Sequence, residues 1–355
     1  MTLADLDIGT VRFRTSAEVL DELRHACESN PDLATFEIIG ESEEGRPIAG
    51  VTLGYGPRLV TLMAGAHADE PVGPETLRHL VVEGLAARDW GAEAGGLADL
   101  FERFTLRIIP HINPDGEARN QPWISRWNDL ADDPAALLRL FNRERLREAP
   151  GRDIEFGYPA MRAENRAATA FLFADGPSLA LHASLHGMAF SEGALLLIEK
   201  DWLDAPASGT LREGFREAAH EAGFRLHDHD REGDKGFLYG GPGFWSTPEG
   251  AAMRAHFEAA GDPEMASRFH RSSMEEAIAT SAAQPLCIVT ELPLFYLSAT
   301  YDHEAGHAGL AAAFRQRLGE DANVLVDAFG IQPVDPTLAV RFHLRTLALA
   351  MATAA

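Results

Sequence analysis

The sequence predicts an α/β fold, with a largely parallel or mixed sheet covered by helices on both faces. Three observations lead there. Short apolar runs such as Leu59–Ala64, Leu106–Pro110, Ala194–Glu199 and Leu286–Thr290 read as buried strands. Amphipathic stretches alternate with them along the chain, the pattern of β–α units. Several runs end in small residues or in turn chemistry, as at Ala64-Gly65-Ala66 and Asn113-Pro114-Asp115-Gly116.

Taken in order, Ser16 opens an amphipathic helix whose apolar positions are Val19, Leu20, Leu23 and Ala26, ending before Pro31. Residues 35–39 and 48–54 read as two strands joined by a turn containing Gly45-Arg46-Pro47. After the strand at Leu59, a helix is expected from Pro74 to about Ala87. Residues 127–150 and 162–173 read as helices, and 178–185 as a strand ending in His186-Gly187. Residues 211–222 are amphipathic. Residues 228–250 form a Gly-, Asp- and aromatic-rich loop, too long for a plain connector and placed near the site. Helices from about Asp302 and Asp335 close the chain, which contains no internal repeat or clear linker. One domain over residues 1–355 is the expected organisation.

The 355 residues can bury a sizeable core, and 46% hydrophobic with 24% charged residues is the balance of a globular protein. A formal net charge of −23 argues against nucleic acid and against an anionic membrane surface. Lys200 and Lys235 are the only lysines, so nearly all positive charge is arginine. Cys27 and Cys287 are too few for a disulfide framework or a cysteine-rich metal site. The first residues lack a signal-peptide pattern and no run reaches a membrane span, so a cytoplasmic location is expected.

The chemistry centres on His67-Ala68-Asp69-Glu70, which directly follows the buried strand at Leu59. Side chains at the carboxyl end of a strand in an α/β sheet face the ligand crevice. An imidazole and a carboxylate three residues apart on a turn reach one Zn²⁺ at about 2.0–2.2 Å. The same spacing at His25–Glu28 and His229–Glu232 falls in an amphipathic helix and a polar loop, and reads as solvated. Hydrolytic zinc needs a third protein ligand and a carboxylate base. His186 is preferred over His182 as the third ligand, and Glu291, at the end of another apolar strand, is the candidate base. A rival zinc pattern, His303-Glu304-Ala305-Gly306-His307, is weakened as a helix by Gly306 and Gly309.

These segments together resemble, in order, the zinc carboxypeptidases of the carboxypeptidase A/B type in their bacterial, non-secreted form. Glu44-Gly45-Arg46-Pro47-Ile48, His67-Ala68-Asp69-Glu70-Pro71, Asn113-Pro114-Asp115-Gly116, Ser184-Leu185-His186-Gly187 and Thr290-Glu291-Leu292 carry the likeness. It implies a three-layer α/β/α fold around a mixed, mostly parallel eight-stranded sheet, one Zn²⁺, and hydrolysis of an amide or peptide bond by activated water. It also implies an arginine that polarises the scissile carbonyl, with Arg126 the candidate and Arg119 in reserve. Asp153 matches a carboxylate that orients a ligand histidine. Glu155 and Phe156 stand where the family carries an Asn-Arg pair that grips the substrate's terminal carboxylate. An acidic Glu155 at that subsite implies a substrate amine or neutral group, or a cation supplied by Arg143 or Arg166. Tyr239 is the candidate substrate-capping tyrosine, and Trp245 a candidate for the pocket lining. The expected partner is a peptide or acylated amino acid. The alternatives are a small-molecule deacylase resembling aspartoacylase and succinylglutamate desuccinylase, or a catalytically silent binding module.

Overall fold

The computed structural model describes residues 2–88, 96–149, 151–229, 233–299 and 310–355. The rival motif at 303–307 lies outside these residues. Among the described residues ten strands form the sheet: β1 (Ala34–Glu41), β2 (Pro47–Leu53), β3 (Arg58–Ala64), β4 (Phe104–Ile109), β5 (Ser178–Ser191), β6 (Gly193–Ile198), β7 (Arg225–Leu226), β8 (Phe244–Ser246), β9 (Leu286–Leu297) and β10 (Ile331–Pro333). Eight of them follow one path, β1-β2-β4-β3-β5-β9-β6-β7, with β8 beside β6 and β10 beside β9.

The middle of the sheet, β4-β3-β5-β9, is parallel, while β1, β2 and β6 add antiparallel pairs around it. Strands β3 and β6 are apolar almost throughout because helices cover both faces of the central sheet. The helices Val72–Ala86 and Pro336–Ala354 pack under one face, where Leu77, Leu80, Val81, Leu344 and Leu347 are fully buried. Burial of apolar surface in this layer stabilises the fold by about 25 cal/mol per Å² removed from water.

Two strands outrun their sequence expectation. β5 does not stop at His186 but runs to Ser191, and β9 continues through Glu291 to Leu297. The continuation of β9 contains Pro293, which cannot donate to a ladder. It falls between the stretch paired with β6, which ends at Glu291, and the stretch paired with β10, which begins at Phe295. The expected helix over 127–150 is shorter, Pro134–Glu144, because Pro134 starts it behind an Asp133 cap and the backbone turns extended at Arg145.

Candidate metal centre

The site forms where β3 ends. Ala64 pairs with Leu185, so His186 is the first residue of β5 beyond its neighbour. The chain leaves β3 through Gly65 at φ +74°, where a Cβ would lie 2.6 Å from the His111 ring. A side chain there would collide with that ring, so glycine is required. The turn then presents His67 and Glu70 before the helix Val72–Ala86 begins.

His67 Nδ1 lies 3.0 Å from Glu70 Oε1, His186 Nδ1 lies 3.0 Å from Glu70 Oε2, and the two Nδ1 atoms are 3.1 Å apart. The Glu70 carboxylate is oriented by the Gly187 N–H, which donates to Oε2 at 3.0 Å. The far nitrogens of both rings meet carboxylates, His67 Nε2 at 3.3 Å from Asp153 Oδ2 and His186 Nε2 at 3.1 Å from Glu155 Oε2. A carboxylate can only accept, so each Nε2 carries a proton, and in the neutral rings that would hold a cation both Nδ1 lone pairs would turn inward. Convergent lone pairs beside a carboxylate need a proton or a cation between them.

Electrostatics agrees. Burial works against a charge on His186, as does neighbouring His67, yet Glu155 and Glu70 outweigh both and raise its pKa to about 10. Burial likewise opposes charge on His67, and Glu70 and Asp153 overcome it, holding its pKa well above the usual value. Burial would raise the Glu70 carboxyl, but the adjacent histidines hold it below the ordinary carboxylate range. The donor set fits zinc. Two ligand nitrogens about 2.05 Å from a tetrahedral ion stand roughly 3.3 Å apart, close to the observed spacing. Among the described residues this is the only trio of His, Cys, Asp or Glu that could hold a metal ion, its donors all within 4.8 Å of one another. Three protein ligands would leave a bound zinc one position for water or substrate.

Glu291 pairs with His186 across β5 and β9. Paired residues of neighbouring parallel strands point to the same face, so Glu291, half-buried, shares the face of the sheet that carries His186.

Other expected site residues are placed differently. Glu155 was expected to face substrate, but it is 3% exposed and its carboxylate is already occupied. Oε1 accepts from Ser273 N at 3.1 Å and Oγ at 2.6 Å, and Oε2 from Ser184 Oγ at 3.0 Å as well as His186. Those four bonds exhaust its lone pairs. Phe156 is buried with its ring 5.3 Å from Phe269. Arg126 is exposed and bonds Asp129 at 3.0 Å, while Arg119 pairs with Glu44. Arg143 bonds neighbouring Glu144, and Arg166 the Ala160 carbonyl. Tyr239 donates to Asp228 and bridges to Trp245 on the loop beside β6. His182, the alternative ligand, is fully buried between Thr61 and Ser273.

The structure also shows a cation that the sequence reading passed over. Arg145 Nε donates to Asp69 Oδ2 at 2.6 Å, within the His67–Glu70 turn itself. Its guanidinium also lies 4.9 Å from the centre of the Phe141 ring. The signal was Asp69, an acid in a buried turn that needs a cation.

Comparison with known proteins follows the same line. Residues 19–165 match the zinc carboxypeptidase family. The match covers His67, Glu70 and Asp153 and stops short of His186 and Glu291, and His186 joins the cluster by geometry. The chain is 31% identical over 108 residues to zinc carboxypeptidase A 1 of Anopheles gambiae, covering 30% of this chain and 24% of that protein. The aligned segment thus spans about a quarter of that relative's length. Over 95% of this chain the fold is similar to that of a metallo-carboxypeptidase from Burkholderia cenocepacia, with TM-score 0.54, 16% identity and 68% of that chain covered. Bovine thrombin-activatable fibrinolysis inhibitor aligns at TM-score 0.51 and 13% identity, covering 97% of each chain. The resemblance read from the motifs therefore stands.

Proposed function

We propose that the protein is a zinc-dependent hydrolase of peptide or amide bonds, of the metallocarboxypeptidase type. The observation that carries this is the convergence of His67 Nδ1, Glu70 and His186 Nδ1 beyond the end of β3. Bound there, zinc would supply the Lewis acid that activates water and polarises the scissile carbonyl. Glu291 would accept a proton from the attacking water and return it to the leaving nitrogen, a role supported by its pairing with His186 across β5 and β9. For charge developing on the carbonyl oxygen, Arg145 is better seated than Arg126. Arg145 is already seated at the metal turn, and among the described residues its Nη nitrogens donate no hydrogen bond. Occupation of Glu155 and burial of Phe156 support a substrate that is not gripped at this turn by a paired amide and guanidinium.

The test begins with elemental analysis of the purified wild type, His67→Ala and His303→Ala. Zinc lost with His67→Ala and kept with His303→Ala is the expected pattern. The reverse pattern removes the reading. The loaded protein is then assayed on peptides with free or amidated C termini and on N-acyl amino acids, with Glu291→Gln as the inactive control. Turnover confined to N-acyl amino acids would move the protein to the deacylases, and zinc bound without turnover of any substrate would mark a silent binding module.

A further inference from the structure

The face of β5 that carries His186 also carries Ser184 and His182, since side chains alternate along a strand. All three are buried, and all three feed one hydrogen-bonded group. His186 Nε2 and Ser184 Oγ meet Glu155 Oε2, while Ser273 N and Oγ donate to Oε1. His182 Nε2 lies 3.0 Å from Ser273 Oγ, and Thr61 Oγ1 lies 2.9 Å from His182 Nδ1.

The proton count has one solution. Ser273 spends its hydroxyl hydrogen on Glu155, so His182 Nε2 must be the donor to Ser273 Oγ. His182 Nδ1 then accepts from Thr61. Every donor in the row from β3 to His186 has an acceptor, and each side chain is held in one orientation. We propose that Glu155 is a positioning residue for the metal ligand His186, and that Ser184 and Ser273, backed by His182, hold Glu155 in place for that purpose. The carboxylate fixes the His186 tautomer with its proton on Nε2 and aims Nδ1 at Glu70 and His67. Asp153, two residues earlier in the same turn, meets His67 Nε2. One short segment, Asp153–Glu155, thus orients both ligand imidazoles. The inference rests on the assignment of His186 as a zinc ligand.

The experiment measures the zinc dissociation constant by chelator competition, and the visible spectrum of the Co²⁺-loaded protein. The proteins are wild type, Ser184→Ala, Ser273→Ala, Ser273→Thr, Glu155→Gln and the Ser273→Ala/Glu155→Gln pair. Melting of the metal-free proteins is recorded alongside. Losses of partners behind a ligand histidine cost about 10- to 100-fold in metal affinity. Ser273→Ala and Glu155→Gln are expected to weaken zinc by roughly 10-fold or more and to shift the Co²⁺ bands. The double variant should be no weaker than Glu155→Gln alone, and Ser273→Thr should restore affinity by keeping the hydroxyl. If Ser273→Ala does not fold, Ser184→Ala decides, because it removes a bond from the oxygen that holds His186. Wild-type zinc affinity in both alanine variants, with only their melting lowered, overturns the proposal, as do losses that multiply in the double variant. A wild-type protein that binds no zinc overturns the metal assignment and this inference together.

Discussion

At the scale of single residues, the site separates what a motif specifies from what packing decides. The cluster of His67, Glu70 and His186 was legible because each adjoins an apolar run, and a titratable group at such a place faces a cavity. The partners of Glu155 were not legible. They lie 29, 31 and 118 positions away along the chain, and no local spacing reports that Ser184, His186 and Ser273 close on one carboxylate. Arginines were harder still, since a long flexible side chain can serve a site from many places. Arg126 followed a motif but sits on the surface, whereas Arg145 is tied into the metal turn through Asp69. Arg145→Ala is therefore expected to lower kcat/KM on a peptide by about 10²–10³-fold, the range for losing one donor to a developing oxyanion. Arg126→Ala should change it by less than about 3-fold, as for a surface pair. Steady-state kinetics of the two variants decides between them, and a reversed order would return the role to Arg126.

Between elements, the motifs that carried the resemblance prove to be contacts with one another. Asp115 is 1% exposed and accepts from Ser42 Oγ at 2.6 Å, Arg46 Nη1 at 2.7 Å and Glu44 N at 3.0 Å. The Asn-Pro-Asp-Gly turn and the Gly-Arg-Pro hairpin are two halves of one joint, which is why both could be read in the sequence while their purpose could not. Asn113 caps the helix Pro114–Ile124 by accepting from Gly116 N at 3.0 Å, and that helix start presses on the metal turn. A Cβ at Gly116 would lie 2.6 Å from the Ala68 Cβ. Gly116→Ala should cost about 1–3 kcal/mol of stability and loosen zinc binding by displacing Ala68, next to His67. Chelator competition and urea unfolding on the same preparation test this, and unchanged zinc affinity would show that the turn does not lean on the helix. A second joint is ionic. Glu75 is fully buried and receives Arg14 Nη2 at 2.9 Å and Arg78 Nη1 at 3.1 Å, while Arg78 Nη2 reaches Glu117 at 2.9 Å. It ties the N-terminal segment to the helices Val72–Ala86 and Pro114–Ile124. Glu75→Gln leaves buried cationic charge undercompensated and should cost about 3–5 kcal/mol, measured by denaturant unfolding at neutral pH. A loss below about 1 kcal/mol would mean that solvent relaxes into the joint.

For the whole molecule, the strand–helix alternation and apolar runs made the layered architecture legible, but strand lengths beyond the crevice depended on pairing partners far along the chain. The acidic composition and the buried histidines together make a prediction about pH. With a net charge of −23, lowering the pH relieves general repulsion and favours the folded state. Buried neutral histidines act in the opposite direction. Burial pushes His343 down to about 3, and pushes His111 and His182 down to about 4. Each binds a proton in the unfolded chain below about pH 6.5 but stays neutral when folded, so the unfolded state holds more protons between those values. Stability from these groups is complete above pH 6.5 and is lost as the pH falls, by about 1.4 kcal/mol per unit for each. His343 isolates the effect because it is far in sequence from the metal ligands and contacts Thr76 Oγ1 at 3.3 Å, with no described partner on Nε2. Thr76 donates its hydroxyl to the Val72 carbonyl at 2.9 Å, so His343→Leu leaves that group satisfied. Between pH 7.5 and 5 the metal-free His343→Leu protein should lose about 2 kcal/mol less stability than the metal-free wild type, while general repulsion cancels in the comparison. Urea unfolding at several pH values reads the difference directly. Parallel stability curves for the two proteins would mean that His343 takes up its proton in the folded state, and the burial argument for it would fall.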